Sequence, residues 1–356
     1  MTLAQGFDVL RSTRASRIGL AGACVCCSFF ASFPFWADPA WMHEFDEMAC
    51  YLILAMMWNL LAGYGGMVSI GQQAYFGLGG YALLVLGNVF AVNAFVAVPL
   101  AVGVTLVCAV PVSKLALRLQ GGHFAVGTWV IAEVFKLSFA NVSAVGGGSG
   151  TSLTALRGIP ATTRFSVTFW LCLAAVVASL ALVYGLLHSR QGLALLAIRD
   201  NEVAAESQGI NVRATKRGVY LISATGAGLA GALYFLGNSR ISPEAAFTVN
   251  WTAFSIFVVL IGGIGTIEGP VIGVVVFYLV SKLFSDYGTW YLVGLGILAI
   301  AITILFPRGL WGYLSHAYDL HFFPIQRRLL QPRSSDGSLE AVRPPPPVTP
   351  GQSARS

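Results

Sequence analysis

The sequence predicts an all-α polytopic membrane protein with about ten transmembrane helices, some of them broken by glycine. Two observations carry that prediction. Hydrophobic residues fill 56% of the 356 positions and charged residues only 10%, with a mean hydropathy of +0.74, against about 25% charged in a soluble domain. No charged residue occurs between Glu47 and Lys114, a run of 66 positions, which at about 20 residues per span holds three helices.

Residues 1–17 form a cytoplasmic N-terminal segment carrying Arg11, Arg14 and Arg17. The first apolar run, Ile18 to Trp36, is preceded by basic residues as in a secretion signal. No small-x-small cleavage site follows it, so it reads as a retained helix. A loop from Asp38 to Glu47 holds four acids and no Lys or Arg. Apolar spans then fall at 47–63, 67–88, 93–112, 122–141, 166–187, 218–237, 250–267, 269–285 and 289–306, giving a membrane domain over 18–315. If the glycines near 63–70 and 262–270 break helices inside the membrane, the count drops to eight. The Gly/Ser/Thr-rich segment 141–165 is expected outside. The tail 322–356, with its proline run 344–347, has the composition of a disordered cytoplasmic segment.

Basic residues fix the orientation. Of 21 Lys and Arg, 16 fall in segments assigned to the cytoplasm, with both termini inside. Arg157, Arg164 and Arg240 fall outside, and Lys136 and Lys282 lie in spans near their outer ends. This is the asymmetry expected of an inner-membrane protein. It also accounts for the net charge of +6 without nucleic acid. The six cysteines sit in apolar runs without metal or redox spacing and read as packing residues.

Four stretches could carry function. The first, Asn59 to Ala82, contains seven glycines together with Asn59, Ser69, Gln72 and Gln73. Glycine is costly in a plain helix, and loosened backbone in a membrane survives where it is buried in protein or lines a cavity. The stretch therefore reads either as close helix packing or as a path for a small polar solute, through Gly65, Gly66 and those polar side chains. The second, Ile261 to Gly273, repeats the pattern G-G-x-x-[S/T]-I, with Gly262, Gly263, Thr266 and Ile267 matching Gly65, Gly66, Ser69 and Ile70. The third is Glu133 with Lys136, spaced to share one helix face. Such a pair is either a structural neutralisation or part of a translocation path.

The fourth is the polar connector Ser189–Arg217. A helix over 193–208 would place Leu193, Leu196, Ala197 and Ala204 on one side, opposite Arg199, Glu202 and Glu206. Asp200 interrupts the stripe, Leu195 sits among the charges, and Gly209 ends the helix. It reads as a solvated connector or as a helix offered to a cytoplasmic partner. The chain holds no phosphate-binding loop, metal motif or nucleophile elbow. No cofactor and no enzymatic activity are expected, and any ATP must bind another chain.

These residues resemble a known family. GYGGMVSIGQQAYFGLGGYA, AIRDNEVAAESQGINV, AGLAGALYFLGNSRISPEAAF, VLIGGIGTIEGPVIG and LFPRGLWG, in that order over about 48–314, are similar to the inner-membrane permeases of branched-chain amino-acid ABC importers, closer to the LivM-type than to the LivH-type subunit. The resemblance implies a type II ABC importer permease. Its partners would be a homologous second permease, two cytoplasmic ATPase subunits and a periplasmic solute-binding protein. It also implies that Arg199 to Gly209 is a coupling loop that docks on an ATPase, and that Glu133 matches an acidic position of the family. Gln72 and Gln73 stand where a His and a small residue are frequent, so urea or short amides stand as alternative solutes to branched-chain amino acids. A stand-alone secondary transporter or channel is the alternative from another class.

Overall fold

A computed structural model describes residues 8–10, 22, 25–284, 290–306, 309–318 and 328–330. The chain forms two compact units. In the smaller, residues 1–22 with 321–356, strands β1 (Asp8–Leu10) and β4 (Arg328–Leu330) pair antiparallel, with Asp8 opposite Leu330. The remainder of the expected N-terminal segment and tail lies outside the described residues, as do Pro307 and Arg308.

The larger unit, residues 23–320, is helical. A short apolar helix α1 (Val25–Phe35) leads to α2 (Pro39–Asn59), whose N-cap Asp38 accepts the Ala40 N–H at 2.9 Å. The acidic stretch 39–47, expected as a loop, is therefore the first part of α2. Capping by Asp38 and Pro at the first helical position start the helix there. Glu44 on this stretch pairs with Lys282 at 2.7 Å.

There follow α3 (Gln72–Asn88), α4 (Ala94–Ala116), α5 (Gly121–Ala140), α6 (Ala161–His188), the connector helices α7 (Arg190–Asp200) and α8 (Glu202–Ser207), and α9 (Val212–Asn238). The last part comprises α10 (Pro243–Ala246), α11 (Asn250–Gly262), α12 (Gly269–Phe284), α13 (Trp290–Leu305) and α14 (Gly309–Tyr318). Within the described residues each expected apolar run contains a helix, with 18–21 and 23–24 of the first run outside them. Among the described residues, six helical stretches are long and apolar enough to cross a membrane, and a bent pair from α5 into Ser143–Ser149 would make seven. This is a polytopic membrane protein.

Burial ranks the helices. The window through α2 is 78% buried and that through α9 67%, whereas those of α4 and α6 are each 28% buried. So α2 and α9 form the centre, and α4 and α6 turn rows such as Val104, Val107, Val177 and Leu182 outward. At the centre α3 and α9 approach backbone to backbone. A Cβ on Gly79 would lie 1.9 Å from the Gly228 oxygen, and one on Gly231 would lie 1.9 Å from the Phe76 oxygen. Small residues permit that approach, which helix association in lipid exploits.

The segment 141–160 is more structured than a Gly-rich loop implies. β2 (Thr151–Ser152) pairs antiparallel with β3 (Arg240–Ile241). Asn88, at the end of α3, donates to the Ser152 oxygen at 2.9 Å and accepts from the Thr154 N–H at 2.7 Å.

Candidate functional site

Both glycine-rich stretches interrupt their helices. α2 runs into a π-helical turn, Leu60–Tyr64, and the chain leaves it through Gly65 and Gly66, the latter at φ +66°. The expected span 67–88 begins as irregular backbone and becomes helix only at Gln72. The groups freed there find partners, two of them from other elements. The Trp58 indole donates to the Ser69 oxygen at 2.9 Å, the Ile70 N–H to Thr128 Oγ1 at 3.2 Å, and the Gly71 N–H to Ser69 Oγ at 3.2 Å. The second break lies between α11 and α12. Thr266 Oγ1 donates to the Gly263 oxygen at 2.8 Å and accepts from the Gly269 N–H at 3.1 Å. In both repeats a hydroxyl four residues after the first of the paired glycines binds backbone where the next helix begins. Satisfaction of this kind is what membrane-depth irregular backbone requires.

The two breaks meet. Asn59, 3% exposed, donates from Nδ2 to the Thr266 oxygen at 2.8 Å and accepts at Oδ1 from the Gly265 N–H at 2.8 Å. A Cβ on Gly63 would stand 2.7 Å from the Gly265 nitrogen, and one on Gly309 2.4 Å from Gly263 Cα. Truncating Asn59 to Ala leaves two backbone groups unpaired, each costing roughly 1–3 kcal/mol where buried. The variant is expected to unfold at a lower temperature than the wild type in detergent.

The connector reaches the same point. Arg199 Nη1 donates to the Gly63 oxygen at 3.0 Å, and its aliphatic stem lies over Gly66, where a Cβ would be 3.4 Å from Arg199 Cγ. Gly63, Gly265, Asn59 and Arg199 thus form one node joining three segments distant in sequence.

Beside the node lies a buried polar tier. Gln72 and Gln73 are 2% and 0% exposed. Gln72 Nε2 donates to Ser223 Oγ at 2.6 Å, and that hydroxyl donates to the Met57 oxygen at 2.8 Å. The Gln73 N–H donates to Thr252 Oγ1 at 3.3 Å, and the Thr252 hydroxyl donates back to Gln73 Oε1. Gln72 Oε1 and Gln73 Nε2 are buried without a protein partner among the described residues. Thr128, Ser223 and Thr252 are hydrogen-bonding neighbours of these residues that the sequence pattern did not single out. The signal was available, because a buried amide needs hydroxyl or carbonyl partners and both Ser223 and Thr252 interrupt apolar runs.

Of the expected path residues, Asn59, Gly65, Gly66, Gly262, Gly263 and Thr266 surround the node and Ser69, Gln72 and Gln73 the tier. Glu133 stands apart on α5. It lies 3.9 Å from Lys136, whose closer partner is Glu244 at 2.7 Å.

The connector departs from the single helix expected over 193–208. Asn201 takes extended backbone (φ −159°, ψ 110°) and its Oδ1 accepts the Ala204 N–H at 3.0 Å, so α7 stops and α8 restarts. Its buried face is also different, comprising Gly192, Leu195, Ile198 and Ala205, while Leu193 is 59% and Val203 78% exposed. Leu195, read as lying among the charges, is fully buried, its Cδ1 close to Gly65. Packing against the first break outweighs the wheel pattern. Asp200 points outward and pairs with Arg199 at 3.4 Å, and Glu202 pairs with Lys216 at 2.5 Å. Ile198, Ala205 and Val212 form a small core with Ala197 and Ile210 against it. Gly209, at φ +82°, closes α8. Its N–H donates to the Glu206 oxygen and the Ile210 N–H to the Ala205 oxygen, the Schellman arrangement that glycine permits.

Comparison with known proteins gives these features a context. Over 290 residues the chain is 26% identical to the high-affinity branched-chain amino acid transport system permease protein LivM of Salmonella typhimurium, covering 73% of this chain and 67% of that protein. It is 24% identical over 276 residues to a probable LivM of Methanocaldococcus jannaschii, covering 67% and 79% of the two chains. A shorter match, 28% identical over 140 residues, covers 36% of this chain and 41% of the fructose import permease protein FruG of Bifidobacterium longum. The family model for the branched-chain amino acid transport system permease component matches residues 47–306, a stretch that contains both glycine breaks, the polar tier and the connector. With most of its length inside that match, the chain belongs to the family of permease components of branched-chain amino acid transport systems.

Proposed function

We infer that this chain is the LivM-type permease subunit of an ATP-driven importer of branched-chain amino acids. It would be a type II permease with ten crossings, formed by α1–α6, α9 and α11–α13, in the inner membrane with both termini in the cytoplasm. A LivH-type second permease, two cytoplasmic ATPase subunits and a periplasmic solute-binding protein complete it. The observation that carries this reading is the Arg199–Gly63 hydrogen bond. It gives a surface helix a direct hold on the place where two membrane helices are interrupted. The exposed side of the connector, with Leu193, Val203 and Glu206, is the face offered to an ATPase. Drawn by ATPase closure, α7 would pull at Gly63 and tilt α2 and α3 against α11 and α12. That motion would open the polar tier of Ser69, Gln72 and Gln73, where the unpartnered amide atoms would meet the solute.

Reconstitution of both permeases with the ATPases and the solute-binding protein tests this. Val203→Asp combined with Glu206→Lys alters only outward side chains and is expected to abolish ATP-coupled uptake while the permease pair still assembles. Uptake at the wild-type rate would rule out the coupling role. Uptake by this chain alone under an ion gradient would favour a secondary transporter. The solute class is tested by screening the solute-binding protein with leucine, isoleucine and valine against urea and short amides.

A further inference from the structure

We propose that the groove where α6, α7 and α9 meet binds one anionic phospholipid. The groove has a volume of about 520 Å³ and is lined by Leu182, Gly185, Leu186, Arg190, Gln191 and Ile222, among others. Its chemistry is graded along α6. Leu182 and Leu186, with Ile222 of α9, supply an apolar wall, while Arg190 and Gln191 at the start of α7 supply a cation and an amide at one end. Placement supports that gradient. α6 has 28 residues, about 42 Å at 1.5 Å per residue, against roughly 30 Å of hydrocarbon. Its last turns therefore emerge at headgroup level, and the groove passes from acyl chain to headgroup there.

Charge selects the occupant. Of the connector's four other cations, Arg199 is committed to Gly63 and Asp200 and Lys216 to Glu202, while Arg213 and Arg217 do not line the groove. Arg190 is exposed and makes no ion pair among the described residues. The Ser189 hydroxyl is already used in capping α7, accepting the N–H groups of Gln191 and Gly192, so Arg190, with the Gln191 amide beside it, is left to meet a phosphate. A free cation beside an apolar wall matches a lipid phosphodiester with its chains, whereas a soluble anion would leave Leu182, Leu186 and Ile222 uncovered. Gly185 leaves the groove open, since a Cβ there would meet no atom within 4 Å. A lipid held here would touch both α6 and the first turn of α7, at the base of the element that carries Arg199.

The test is native mass spectrometry of the full chain released from nanodiscs of mixed phosphatidylglycerol and phosphatidylcholine, counting retained lipid. Phosphatidylglycerol is expected to be retained over phosphatidylcholine, with Arg190→Gln reducing its retention about fivefold, the worth of one basic residue at a membrane surface. Arg190→Lys is expected to keep it. Gly185→Leu, whose Cβ meets no atom within 4 Å, projects into the groove and is expected to reduce retention at least as much, with unchanged thermal unfolding in lipid-free detergent. Equal retention by the wild type and both reducing variants, or equal retention of the two lipids, would overturn the proposal. So would displacement by glycerol phosphate, which would mark a free-anion site. A photoreactive side chain at Leu186 that links to a protein chain in the assembled complex, and not to lipid, would likewise overturn it. These readouts need no uptake, so they stand or fall separately from the transport reading.

Discussion

Replacing Arg199 with alanine is expected to lower ATP-coupled uptake by about tenfold or more, with ATP hydrolysis persisting and the permease pair still assembling. The substitution removes the hydrogen bond to the Gly63 oxygen and the contact over Gly66. Leu195 and the small core of Ile198, Ala205 and Val212 remain to hold the connector folded. A hydrogen bond from a charged donor is worth about 1.5–3 kcal/mol. If that energy is what couples connector motion to the breaks, its loss corresponds to one to two factors of ten. Arg199→Lys keeps the charge but not the forked donor geometry, and intermediate uptake is expected. The decisive comparison is uptake against hydrolysis. A parallel fall in both would place Arg199 in assembly or folding, whereas hydrolysis without uptake marks a broken transmission.

The largest stability effect is expected at the α3–α9 contact. Gly231→Ala would place a methyl 1.9 Å from the Phe76 oxygen, and Gly79→Ala one 1.9 Å from the Gly228 oxygen. Both neighbours are backbone, so neither can swing aside, and the two central helices must separate. Overpacking of this kind costs roughly 1–3 kcal/mol, and separation would also stretch the Gln72–Ser223 bond between the same helices. Thermal unfolding in detergent is expected to shift downward for each variant. Gly103→Ala on α4 meets no atom within 4 Å and serves as the control, expected to match or exceed the wild type because alanine favours helix. Coincident melting of all three variants would contradict the close approach.

The helices and the two breaks were legible in the sequence because apolar runs and glycine clusters are local signals. Asn59, Gly65, Gly66 and their counterparts at 262–266 stood out as polar and glycine residues within apolar sequence, and the structure draws them to one point. What remained hidden depends on contacts distant in sequence. No local pattern says that Arg199 turns inward across 136 positions to Gly63, and a helical wheel assigns it to solvent. The wheel failed for α7 in the same way. It ranks faces by average apolarity, whereas Leu195 is buried because a glycine break offers it a surface. The early start of α2 was missed because the acids on 39–47 outweighed the capping signal of Asp38 and Pro39. The pairing of Lys136 with Glu244 joins α5 to a four-residue helix that no periodicity announces.

The fastenings at the two ends of α3 restrict how this domain can move. Its first two residues, Gln72 and Gln73, are bonded to Ser223 of α9 and Thr252 of α11, and its last, Asn88, is bonded to the segment that β2 and β3 tie to the end of α9. Seventeen residues of helix put those fastenings about 25 Å apart. A rod secured at both ends cannot piston along its own axis without tearing one set of hydrogen bonds. It can still roll or tip about the line joining them, at little cost in bonding. The domain is therefore built so that α3 can swing like a hinged shutter but cannot slide.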